Sequence, residues 1–194
     1  SISSNNILEV YSFNGGLEII KKNYVNELRE VVEAIRSVNS KKMKTKISKE
    51  ITMEGTKLFS PISLNREILD KNLYKKGWKK PKIPLDDKSS FIEADGVKND
   101  VGLEVQFGKY AFLGWDIFGK MPIFAKNKDY RVGIEVVASK TLQGQMSTGV
   151  GSFTHIINIL NKRGVSNVDI PILILGIGEK KYGDVGMNKM LGLE

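Results

Sequence analysis

The order of its apolar segments predicts that this chain is an α/β protein, with a central mixed β-sheet flanked by helices. Three observations carry the α/β part. The runs YRVGIEVVA (130–138) and IPILILGI (170–177) are rich in β-branched residues, and the second is apolar on both faces, as a strand buried between two layers is. Segments with helical spacing alternate with the strands. The 194 residues are 41% hydrophobic and 27% charged, an ordinary globular balance that argues against a disordered or collagen-like chain. No repeat, low-complexity tract or linker marks a second unit, so a single domain over 1–194 is expected.

After a polar start, Ile7–Phe13 is a short apolar strand or helix-entry segment, and Gly15 and Gly16 punctuate it. Leu17, Ile20, Tyr24, Leu28, Val31, Ile35 and Val38 then recur at steps of three and four. They predict one helix of about six turns with a core-facing stripe, part of which could serve a subunit interface. KKMKTKISK (41–49) carries five lysines with few apolar anchors and reads as a loop or mobile arm. Residues 64–73 look helical, ending at Gly77. Around that point KNLYKKGWKKPK (71–82) interleaves six lysines with Tyr74 and Trp78, a second basic arm whose lysines face phosphate or water. Pro81 and Pro84 break regular structure. Residues 91–97 and 101–107 read as strands, and Lys109–Phe124 as a helical segment. Phe153, Ile156, Ile157 and Leu160 define a short helix on which His155 is expected to be packed.

Composition narrows the chemistry. The net charge of +8 suggests a polyanionic partner. The absence of cysteine excludes disulfides, zinc ribbons, thiolate catalysis and iron–sulfur clusters, and a single histidine excludes multi-His metal sites. No apolar run approaches the ~20 residues of a membrane span and no signal-peptide core opens the chain, so a cytoplasmic protein without a membrane partner is expected. Any catalysis must come from carboxylates, amides, hydroxyls, lysines or a hard metal ion.

In VGLEVQF (101–107), Val101, Leu103, Val105 and Phe107 share one face, and Glu104 and Gln106 share the other, less apolar face. If Asn99-Asp100 form a two-residue hairpin loop, Asp95 lies directly across from Glu104, with Cβ atoms about 5 Å apart. Like charges so placed repel unless a cation sits between them, and Mg²⁺ prefers oxygen ligands of this kind. Carboxylates at strand edges are also commonly solvated, and the D-x8-E-x-Q spacing alone does not separate the two readings.

The run DGVKNDVGLEVQFGKYAF (95–112) resembles the active-site region of the BglII and BstYI type II restriction endonucleases, more closely BstYI. LEVYSFNGGLEII (8–20), SKE and LFSPISLN between 48 and 65, and MSTG (146–149) agree in the same order, EVQFGKYAF (104–112) being the most specific block. The resemblance implies the restriction-endonuclease-like fold of a PD-(D/E)xK nuclease that encloses duplex DNA as a homodimer. It implies Mg²⁺-dependent hydrolysis at a palindrome centred on GATC, with a cognate methyltransferase in the same system but not in direct contact. Asp95 and Glu104 then correspond to metal-binding carboxylates and the Val105 carbonyl to a further ligand. Gln106 stands where most of the superfamily has lysine, and would orient the attacking water. Lys109, Ser147 and Thr148 correspond to DNA-contacting positions; lysine donates to guanine O6 and N7. Their alternatives are a solvated lysine at a helix start and a turn with capping hydroxyls. The stretch from Pro84 to Asp95 is shorter than in BstYI.

Other readings compete. A non-catalytic DNA-binding protein suits the charge but has no use for an acid pair. A retaining glycosidase also holds two carboxyls about 5 Å apart, yet only 8% of residues are aromatic. Gly176–Gly183 lacks the Walker and dinucleotide spacings and looks like the end of a buried strand, and a serine triad would depend on His155.

Overall fold

The computed structural model describes residues 5–86, 89–179 and 186–194. Strand β1 (Asn5–Phe13) leads into helices α1 (Gly16–Asn23) and α2 (Val25–Ser37). A single turn, α3 (Ser40–Met43), precedes the hairpin of β2 (Lys46–Ile47) and β3 (Lys57–Leu58), and α4 (Pro61–Asn65) follows. Next come β4 (Lys82–Pro84), β5 (Phe91–Glu93), β6 (Gly96–Lys98) and β7 (Val101–Gln106). Helices α5 (Tyr110–Trp115) and α6 (Met121–Lys126) lead to β8 (Val132–Ala138), α7 (Lys140–Gln143), α8 (Phe153–Arg163), β9 (Ile172–Glu179) and α9 (Met187–Leu191).

The expected mixed sheet is present, with five strands in the order β1-β9-β8-β7-β6. β7, β8 and β9 are parallel, and β1 and β6 close the edges antiparallel. Alternation along β9 sends Leu173, Leu175 and Ile177 into a core shared with Leu28, Val31 and Ile35 of α2. Ile172 and Ile174 go to a second core with Leu113, Met121, Phe124, Ile156 and Leu160. A strand greasy on both faces is what a sheet covered twice requires.

Several expectations need correction. The helix over 17–38 is two helices broken at Tyr24, whose φ/ψ of −137°/35° is not helical. The break costs little hydrogen bonding, because the Tyr24 N–H donates to Ile20 and its carbonyl accepts from Leu28. The single strand at 91–97 is also two, since β5 pairs with β4 while β6 pairs with β7. The chain turns between them, where the Ala94 N–H donates to the Pro81 carbonyl. Residues 41–49 form no loose loop: they make α3 and the first strand of a short hairpin. His155 is exposed on the outer side of α8, edge-on to the Tyr110 ring at 5.4 Å, rather than packed in the core. Trp78 of the second lysine-rich stretch is buried, its indole N–H on Glu30 at 2.8 Å.

No helix among the described residues is long and apolar enough to cross a membrane.

Candidate active site

The β6–β7 hairpin builds the acid pair. Gly96 pairs with Leu103, Val97 with Gly102 and Lys98 with Val101, the register that the two-residue loop requires. Asn99 and Asp100 both have positive φ, 47° and 68°, as a type I′ turn demands. Asn99 also donates its amide to Glu27 at 2.7 Å. Asp95 therefore follows the ladder to a position opposite Glu104. There β6 has ended, and the Val105 N–H, left without a strand partner on that side, donates to the Asp95 carboxylate at 2.8 Å. In return the Asp95 N–H reaches Glu104 Oε1 at 3.4 Å. A strand residue's N–H and C=O leave on the same side, so the Val105 carbonyl shares this opening. The Tyr74 hydroxyl donates to the Asp95 carbonyl at 2.8 Å and fixes the chain behind it.

Glu104 does not face water. Its side of the sheet is floored by the helical segment after β7, and the residue is 1% exposed. Two adjacent glycines permit that approach: a Cβ at Gly102 would lie 2.4 Å from the Tyr130 ring, and one at Gly133 would lie 2.6 Å from Met121 Sδ. Between α5 and α6 the segment Asp116–Lys120 is a π turn, closed by the Met121 N–H on the Asp116 carbonyl. This turn delivers Lys120, whose Nζ lies 3.0 Å from Glu104 Oε2 and 3.2 Å from Asp116 Oδ1. Asp116 Oδ2 accepts the Gln106 amide at 2.8 Å, and Gln106 Oε1 accepts the Gly108 N–H at 2.9 Å. Gln106 is thus held at both ends, with one amide hydrogen and one lone pair to spare.

Glu135, beside Glu104 in the β7–β8 register, is fully buried, and neither of its oxygens finds a hydrogen-bond partner. Burial, then the charges of Asp116 and Glu104, push its carboxyl well above the ordinary range. Burial, then Asp95 and Asp116, do the same to Glu104 against the opposing pull of Lys120. Asp95 is raised by burial, partly offset by the Val105 N–H and Lys120. Acids crowded in this way, with one ammonium among them, leave negative charge for a divalent cation to neutralise. The donor set is two carboxylates and a carbonyl, hard oxygens that leave other coordination positions to water or phosphate, as suits Mg²⁺. Among the described residues no group of three or more His, Asp or Glu side chains is arranged as a metal cage.

The family model for restriction endonuclease BglII/BglIII matches residues 8–177. The chain belongs to this family. It shares the class of activity, that of type II site-specific deoxyribonucleases. The type II restriction enzyme BglII of Bacillus subtilis is 26% identical over 184 residues, 92% of this chain and 79% of BglII. The crystal structure of BglII complexed with a DNA 16-mer superposes with a TM-score of 0.70 at 25% identity, covering 89% of this chain and 78% of that one.

On this BglII-type fold the remaining sequence-predicted residues form one contiguous surface at the end of β7. Lys109 is exposed and forms an antiparallel bridge with Val150, while the Tyr110 N–H donates to Gly149 and the Gly151 N–H to Gly108. The 147–151 loop is thereby tied to the strand that carries Glu104. Lys46 of the hairpin arm donates to the Ser147 hydroxyl, and Glu50 accepts from both the N–H and the hydroxyl of Thr148. Lys44 donates to Gln145 at 2.7 Å. The first lysine-rich stretch thus braces the loop holding Ser147 and Thr148. The second differs: Lys71, Lys76, Lys80 and Lys82 pair with Glu67, Glu33 and Glu93.

Sequence reasoning missed Lys120, Asp116 and Glu135. Glu135 carried a signal, a lone carboxylate inside the apolar run YRVGIEVVA. Lys120 and Asp116 carried only their i,i+4 spacing, common on any helix surface.

Proposed function

We propose that this protein is a Mg²⁺-dependent restriction endonuclease of one domain that cleaves duplex DNA as a homodimer at a palindrome centred on GATC. The observation that carries the reading is Asp95 set against Glu104 at the open end of the β6–β7 ladder, with the Val105 carbonyl beside them. When bound there, a divalent ion supplies positive charge to the scissile phosphate and acidifies a water. The chain's own residues do the rest. Asp95 and Glu104 hold their carboxylates toward one another because each is restrained by the other strand's end. Gln106 keeps one amide hydrogen and one lone pair to orient the nucleophilic water. Asp116 and the Gly108 N–H stop that amide from rotating.

Duplex binding is supported by the BglII–DNA complex among the structural relatives and by the +8 charge. The GATC core rests on the likeness to BglII and BstYI over 95–112. Lys109 offers a donor for guanine, and Ser147 and Thr148 offer hydroxyls on the braced loop. The homodimer is supported by exposed Tyr110, Phe112, Trp115 and Ile123 on the helical segment that follows β7. A cognate methyltransferase acting on the same sequence completes the system without touching the enzyme.

Incubation with a GATC-containing plasmid and Mg²⁺ tests the reading. Discrete fragments whose ends map to GATC are expected. A gel shift without cleavage in several buffers points instead to a non-catalytic binder.

A further inference from the structure

Resting on the nuclease reading above, we infer that Lys120 is the positioning cation of the active site, holding Glu104 and, through Asp116, the amide of Gln106. The strand itself supplies no such charge: the position two residues after Glu104 is a neutral glutamine. The structure brings an ammonium in from another element. Lys120 Nζ contacts Glu104 Oε2 at 3.0 Å and Asp116 Oδ1 at 3.2 Å, and its side chain is only 14% exposed.

The placement is built into the fold. The next residue, Met121, rests on Gly133, where any side chain would collide with its sulfur. The π turn between Asp116 and Lys120 adds the extra residue that turns both groups onto the Glu104 face of the sheet. Asp116 is fully buried and spends one oxygen on Lys120 and the other on Gln106. Lys120, Asp116 and Gln106 therefore form a chain of charge-assisted contacts that starts at Glu104 and returns to its own strand two residues on. Because Lys120 occupies Oε2, Glu104 keeps Oε1 turned to the Asp95 side. Lys120 acts through these two side chains and is a positioning residue.

A purely structural ion pair would neutralise buried charge and nothing more, and its loss would weaken folding, metal binding and turnover together. A positioning cation predicts a split. With Lys120→Gln, single-turnover cleavage of a saturating GATC duplex falls about 10–100-fold. The affinity of the DNA-free protein for Mn²⁺, measured by calorimetry, stays the same or tightens, because a competing positive charge has gone. Lys120→Arg, which keeps the charge, cleaves faster than Lys120→Gln.

If Lys120→Gln does not fold, Lys120→Arg and Asp116→Asn carry the test. Both should fold and cleave more slowly, with Mn²⁺ affinity unchanged in Lys120→Arg and falling less than the rate in Asp116→Asn. Wild-type rates in these variants overturn the inference, as does Mn²⁺ binding that weakens in step with the rate. A wild-type protein that leaves GATC plasmid intact overturns the nuclease reading itself, whereas undiminished cleavage by Lys120→Gln beside an active wild type overturns only the role of Lys120.

Discussion

The backbone N–H of Val105 donates to the carboxylate of Asp95 at 2.8 Å, in the place where a longer β6 would have put its next ladder bond. An acidic side chain thus completes the hydrogen bonding of the strand that carries its partner acid. Asp95 is held by main chain rather than by a cation, which leaves its charge available to a ligand. Asp95→Ala should lower Mg²⁺-dependent cleavage a hundredfold or more, since about 3 kcal/mol or more of transition-state stabilisation is at stake. Duplex binding in Ca²⁺, measured by gel shift, should persist.

The raised carboxyls of Asp95, Glu104 and Glu135 give the metal-free protein a distinctive pH dependence. Between the ordinary carboxylate range near 4.5 and their raised values, the folded state binds more protons than the unfolded chain, so stability falls as pH rises through that window. The lowered carboxyls of Glu18, Glu50, Glu93 and Asp169 lose their stabilising contribution only below that window. The contribution of Lys120, whose pKa is raised, is fully present throughout it. Thermal midpoints in EDTA should therefore decline as pH rises above the ordinary carboxylate range, and saturating Ca²⁺ should flatten the decline. A midpoint in EDTA that climbs with pH above this range would speak against the buried acid cluster.

Closure of the helical segment over Glu104 depends on Gly102 and Gly133. Gly102→Ala forces a methyl into the Tyr130 ring, a rigid neighbour, and should cost about 1–3 kcal/mol in urea unfolding. Gly133→Ala meets the flexible Met121 thioether and should cost less. The reverse order would contradict the packing described here.

Glu50 braces Thr148 from the hairpin arm, so it should govern discrimination more than rate. Glu50→Ala should leave cleavage of the preferred site within a few-fold of wild type while raising the relative cutting of sites altered by one base. Competition between cognate and altered duplexes measures this, and an unchanged ratio would exclude the brace from recognition.

The register at the acid pair was legible in the sequence because a two-residue loop at Asn99-Asp100 admits one pairing, and that pairing sets Asp95 against Glu104. The doubly covered sheet was legible in the two-faced apolarity of 170–177. The break at Tyr24 was not, because the apolar stripe runs through it unchanged and the hydrogen bonds on either side survive. Nor was the division of 91–97, which depends on Pro81 and β4 far back in the chain. Lys120 escaped notice for a related reason. Its role comes from a π turn and from two glycines on neighbouring strands, and local spacing encodes neither. The two lysine-rich stretches looked alike, yet glutamates on α2 and β5 neutralise part of the second, while the first reaches the 145–148 loop.

The most direct test of the central claim sequences the ends of GATC plasmid digested with wild type and with Asp95→Ala in Mg²⁺. Wild type should give discrete fragments whose ends all fall at GATC, and Asp95→Ala should leave the plasmid intact. Scattered ends from the wild type, or the same fragments from Asp95→Ala, would contradict it.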